Sequence, residues 1–125
     1  MMLNGIEQIE FKIAVIGLGY VGLPLAIEFS KKLEVVGYDT KESRISELKS
    51  GHDSTGEVQS AILNASTCKF TVDENELNAC NVYIVTVPTP ITKEKIPDLA
   101  PLIAASKLIA KYLRQGDLVI YESIA

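Results

Sequence analysis

The chain has 125 residues, 47% of them hydrophobic and 22% charged, with a net charge of −4. That length fits one domain with a sizeable core, and the composition is that of a soluble globular protein. Its 12 Lys and Arg are spread along the chain, which excludes the clustered basic face of a nucleic-acid binder.

Residues 1–10 lack a basic segment followed by an apolar one, so they read as a loosely ordered tail rather than a secretory signal. The domain itself is expected over residues 11–125. Residues 12–16 form a short β-branched run that ends at Gly17. Residues 20–32 then read as a helix, apolar almost all round until Glu28, as a helix pressed against a sheet should be. The uncharged stretch over residues 13–27 is interrupted by three glycines and Pro24 and is too short to span a bilayer. A second strand follows at 34–38, ending at Asp39, and a helix at about 41–50 turns Ile45 and Leu48 inward before Gly51 stops it.

Ser54 and Glu57 have capping-box spacing, which predicts a further short helix over 57–64. Residues 69–72 read as a short strand and 73–79 as one or two helical turns. Residues 82–87 are the most continuous apolar run, as a central parallel strand should be. After Pro88-Thr89-Pro90 comes the clearest helix, with Asp98 as its N-cap and Leu99, Leu102, Ile103, Ile109, Ala110 and Leu113 on one face. A last strand is expected at 118–121.

Strands alternating with helices make a parallel α/β sheet with right-handed crossovers. The expected architecture is a Rossmann-type doubly wound domain of about five strands in the order 3-2-1-4-5, truncated by the lack of a sixth strand.

The chemistry concentrates at Gly17-Leu18-Gly19-Tyr20-Val21-Gly22. Alone, such a glycine pattern is weak, but here a strand enters it and a helix leaves it, as dinucleotide binding requires. Gly17 serves the tight turn, Gly19 lets a pyrophosphate approach the backbone, and Gly22 lets the helix pack closely. Free N–H groups and the positive helix end then face the phosphates. Asp39, at the end of the second strand, matches the acidic residue that accepts from the adenosine ribose hydroxyls. Its charge would repel a 2′-phosphate, which favours NAD over NADP. The alternative role, capping the next helix, could fall to Thr40 instead.

Spacing leaves other positions open. Arg44 either lies over the adenine or reaches a phosphate, or is a solvated helix residue. Thr89, at the ligand-binding edge of the sheet, either faces a ligand or bonds its own turn. Glu122 and Ser123 share that edge. His52 reads as solvent-facing. Cys68 and Cys80 lack metal-site or redox-pair spacing and read as buried thiols of a reducing, cytoplasmic compartment. No nucleophile–base pair and no metal site can be assembled.

The run from Lys12 to Pro24 resembles the opening of the UDP-glucose/GDP-mannose dehydrogenase family. The resemblance continues through Gly37-Tyr38-Asp39 with Arg44, Val87-Pro88-Thr89-Pro90, Pro97-Asp98-Leu99 and Tyr121-Glu122-Ser123. The last three look most like the UDP-N-acetylhexosamine 6-dehydrogenases of bacterial capsule and O-antigen synthesis, with UDP-glucose 6-dehydrogenase as the alternative. Outside the family, the same elements would suit a non-enzymatic nucleotide-binding module or an S-adenosylmethionine methyltransferase.

The resemblance implies oxidation of a sugar C6 alcohol to a carboxylate by two NAD, through a cysteine-bound intermediate. It implies Tyr20, Val21, Asp39, Arg44, Thr89 and Ser123 as NAD contacts beside the glycine turn, and a homodimer or higher oligomer for the full-length enzyme. Two departures stand out: Ile124 replaces the family's threonine, and neither Cys68 nor Cys80 matches its nucleophile. The expectation is therefore an N-terminal domain that binds NAD but, alone, does not turn over a UDP-sugar.

Overall fold

The computed structural model describes residues 10–122. Nearly all of the expected tail, and the positions Ser123, Ile124 and Ala125, lie outside the described residues.

Five strands form one parallel sheet: β1 (Lys12–Ile16), β2 (Glu34–Tyr38), β3 (Lys69–Thr71), β4 (Val82–Val85) and β5 (Leu118–Tyr121). Their spatial order is β3-β2-β1-β4-β5, as the alternation of elements predicts. Four helices connect them: α1 (Gly22–Ser30), α2 (Glu42–Lys49), α3 (Ser60–Ala65) and α4 (Ala100–Ala110), with a 3-10 segment at Glu74–Ala79. Ile16 pairs with both Tyr38 and Val85, and Val85 with Tyr121, so the strands end flush at one edge. That edge, at the switch in strand order between β1 and β4, is where such sheets bind ligands.

Side chains alternate across β1 and build a core on each face. Ile13 and Val15 join Leu18, Leu23, Ala26 and Ile27 of the first turn and α1, with Ile45 and Leu48 of α2 and Leu63 of α3. Ala14 and Ile16 join Tyr83, Val85, Leu77 and Cys80 beneath Ala105 and Ile109 of α4. Each fully enclosed apolar side chain of this kind contributes roughly 1.5–3 kcal/mol. Tyr83 is completely buried yet satisfied, its hydroxyl donating to the carbonyls of Leu77 and Cys80 at 3.1 and 3.2 Å.

Four local expectations are corrected. Helix α1 starts at Gly22, not residue 20, because the glycine turn occupies the first positions. Strand β4 stops at Val85, not residue 87; Thr86 keeps its N–H on Ile16 O and turns its hydroxyl to the Gly17 carbonyl. The capping box does not form: Ser54 Oγ donates to Glu47, the N–H groups of Glu57 and Val58 go to the Asp53 carboxylate, and α3 begins only at Ser60. On α4, Ala105 and Ile109 are the buried residues, while Leu99, Ile103 and Leu113 stay about half exposed (49%, 50% and 47%). The stop at Gly51 is as expected, with Gly51 N–H on Leu48 and His52 N–H on Glu47, the paired bonds of a glycine-terminated helix.

Candidate cofactor site at the carboxyl edge of the sheet

The glycine turn is shaped by three strands. Gly17 adopts φ +101°, a conformation that L side chains rarely take, and a Cβ there would meet Val87 N at 2.9 Å. Its N–H donates to Tyr38 O at 2.9 Å, tying the turn to β2. Its carbonyl accepts from the buried Thr86 hydroxyl at 2.6 Å, tying it to β4. A Cβ on Gly22 would overlap that same carbonyl, so the start of α1 can lie against the turn only as glycine. Thr86 is a turn-shaping position that sequence reasoning missed, since a threonine inside a β-branched run carries no signal of its own.

Beyond Leu18 the backbone opens. Among the described residues, the N–H groups of Gly19, Tyr20, Val21 and Gly22 have no hydrogen-bond partner. Pro24, in the first turn of α1, has no N–H to place. The first turn carries no acidic side chain, so the helix end keeps its positive character. A Cβ at Gly19 would meet nothing within 4 Å, leaving open space in front of these donors. Tyr20 and Val21 stand exposed beside it. Several convergent donors at a helix start, with room before them, fit a phosphate group.

Asp39 bridges two turns. One carboxylate oxygen accepts from Leu18 N–H at 2.9 Å and the other from Lys41 N–H at 3.0 Å. Each oxygen keeps a further lone pair for a hydroxyl partner. Thr40 does not cap α2, whose first position shows no side-chain cap. Leu18 is fully enclosed, its N–H on Asp39 and its carbonyl on Arg44, so it acts by holding the turn's shape.

Arg44 is buried, not a solvated helix residue, with 9% of its side chain exposed. Its Nε–H donates to Leu18 O at 2.8 Å, and Nη1 donates to Glu47 at 2.7 Å and Asp53 at 2.8 Å. Nη2 is buried with no partner among the described residues. The Asp53 carboxylate also accepts from Thr55 N–H, the Thr55 hydroxyl, and the N–H groups of Glu57 and Val58. Burial pushes this carboxyl up, but the bonds from Thr55, Arg44 and Val58 outweigh it and hold it at about 2. Sequence reading passed over Asp53, whose partner lies on a different element.

Thr89 is half-buried in the loop after β4, which closes on itself through Asp98 N–H to Pro90 O and a bridge between Ile91 and Pro97. Asp98 also accepts from Ala100 N–H, but the N-cap of α4 is Leu99, without a side-chain cap, so the expected Asp98 cap is corrected to a bond made one residue before the helix cap. Glu122 is exposed, its N–H on Val85 O. His52 is exposed. Cys68 and Cys80 are buried, and burial pushes their thiols up to about 12 and about 11, far from a reactive thiolate. Among the described residues no cluster of potential ligands could hold a metal ion, and no helix is long and apolar enough to cross a membrane.

Residues 11–125 match the NAD-binding domain of the UDP-glucose/GDP-mannose dehydrogenase family. The chain belongs to that family. As its NAD-binding domain, it is similar to UDP-N-acetyl-D-glucosamine 6-dehydrogenases of Pseudomonas aeruginosa and Salmonella typhi, 58% and 52% identical over 115 residues. Those matches cover 91% of this chain and 27% of each relative. Among solved structures, a UDP-N-acetyl-D-mannosamine dehydrogenase of Pyrococcus horikoshii superimposes with a TM-score of 0.80 at 38% identity, over 90% of this chain and 28% of that one. The chain thus spans little more than a quarter of the relatives it matches. Its cofactor is NAD, for which the donors of the glycine turn and the Asp39 carboxylate are a fitting set.

Proposed function

We propose that this domain holds NAD along the carboxyl edge of its sheet as the cofactor-binding part of a UDP-N-acetylhexosamine 6-dehydrogenase. The observation that carries the reading is the row of partnerless N–H groups from Gly19 to Gly22, set beside the Asp39 carboxylate. The pyrophosphate would sit on those donors, with Gly17 and Gly22 shaping the turn beneath it and Leu18 fixing it through Asp39 and Arg44. The adenosine ribose hydroxyls would donate to Asp39, with Arg44 on the same side. Tyr20 and Val21 would cover the dinucleotide, and Thr89 and Ser123 would approach it from the ends of β4 and β5.

NAD supplies a hydride acceptor, and two equivalents take the C6 alcohol to the carboxylate with water. The 58% identity to a UDP-N-acetyl-D-glucosamine 6-dehydrogenase supports this substrate class, and polysaccharide precursor synthesis follows as the use of the uronic acid. The thiol nucleophile and most of the sugar site are assigned to parts of the enzyme outside these residues, so the domain alone is inactive. The full enzyme is assigned to the cytoplasm and to a homodimer or larger assembly.

Fluorescence titration of the domain with NADH and NADPH tests the reading. NADH is expected to bind and NADPH to bind more weakly. Asp39→Ala is expected to lose about tenfold in NADH affinity, the cost of a charge-assisted hydrogen-bonding partner, and to narrow the gap to NADPH. No NADH binding at millimolar concentration would overturn the proposal, and an unchanged ratio would reduce Asp39 to a turn-bridging residue.

A further inference from the structure

The Asp53 carboxylate is wholly buried and serves five donors, four on the irregular segment after α2 and one, Nη1 of Arg44, on α2 itself. Its one link to the cofactor edge runs through Arg44. A guanidinium is rigid and planar, and its Nε–H and one Nη2–H point the same way. Because Nε–H is on Leu18 O, the partnerless Nη2 faces the side of the glycine turn. The same Leu18 residue gives its N–H to Asp39. Leu18 thus joins the two groups, its carbonyl on Arg44 and its N–H on Asp39, while Nη1 is held by Asp53 and Glu47. Buried donors are almost always satisfied, and an exception asks for a reason. A ligand that completes the set is such a reason.

We infer that Asp53 is a positioning residue for the cofactor: it fixes the Arg44 guanidinium so that Nη2 is offered to an acceptor on the adenosine half of the dinucleotide. This rests on the proposal that the dinucleotide lies along this edge. Thr55, through its bonds to Asp53, is the outer support of the same device.

A double-mutant cycle tests it, with NADH and ADP-ribose as ligands of the 125-residue chain at 10 °C and folding checked by circular dichroism. Asp53→Asn keeps an acceptor for the local N–H groups but removes the charge that holds Arg44. It is expected to weaken both ligands about tenfold, the effect of losing one charge-assisted contact. Arg44→Gln is expected to do the same, and the double variant to match Arg44→Gln alone within about twofold, because coupled residues are not additive. A residue that only supports its own loop would lower the melting temperature and leave the affinity for both ligands unchanged in the Asp53→Asn single variant; that pattern overturns the inference. If Asp53→Asn loses its fold, Thr55→Ala decides, with a weakening of about threefold expected only where Arg44 is intact. Failure of the unmodified chain to bind NADH would instead strike at the proposed function.

Discussion

Asp53 carries an expectation about acid stability as well as about binding. Its carboxyl sits at about 2 in the folded chain against an ordinary 3.8, because the bonds from Thr55, Arg44 and Val58 exceed the cost of burial. A carboxyl whose folded value is depressed stabilises the fold above its unfolded value and loses that contribution as pH falls through the folded one. The displacement corresponds to about 2 kcal/mol, present above about pH 5 and gone near pH 2. Urea unfolding of the unmodified chain and of Asp53→Asn should therefore show a stability gap that is flat from about pH 7 to 5 and shrinks toward pH 2. A gap that stayed constant through that range would mean that the variant acts by misplacing the loop and not by losing the charge.

At the scale of elements, the turn from β1 into α1 is the part whose geometry decides most. Gly22→Ala would press a methyl group onto the Gly17 carbonyl and the Thr86 hydroxyl, both held by other bonds. The expected cost is about 1–3 kcal/mol, as for other overpacked sites. Thr86→Val keeps the shape but strips the Gly17 carbonyl of its side-chain donor, at about 1–3 kcal/mol. Chemical denaturation would read both, and a neutral Gly22→Ala would show that α1 can slide away from the turn. Gly17 and Gly22 were legible in the sequence because their roles in the turn need a particular residue at a fixed place along a strand-turn-helix. Thr86 was not, since its hydroxyl acts across strands. The capping box failed for a related reason: Asp53, one residue before Ser54, outcompetes it with a charged acceptor that Arg44 holds in place. Local spacing cannot register a partner supplied by tertiary packing.

Over the whole molecule, strand order followed from the alternation of elements, because right-handed crossovers leave few arrangements. The depth of α4 did not follow, since its stripe alone says nothing of how much of it is covered; Leu99, Ile103 and Leu113 stay half exposed. The cofactor edge, in contrast, draws on the ends of β1, β2 and β4 together, through Gly17 to Tyr38 and Thr86 and Leu18 to Asp39. A ligand that grips this edge must stabilise the fold as a unit, because an unfolded chain has no such edge to offer. With NADH at about 100 times its dissociation constant, the linkage contributes about 2.7 kcal/mol. For a domain of 125 residues this raises the melting temperature by about 10 °C. NADPH at the same concentration should raise it less if, as proposed, the ribose lies at Asp39, whose charge would oppose a 2′-phosphate. Scanning calorimetry at several NADH concentrations would show the midpoint climbing with the logarithm of concentration. A midpoint that did not move would mean that NADH binds the folded and unfolded chains alike, and so does not use the assembled edge.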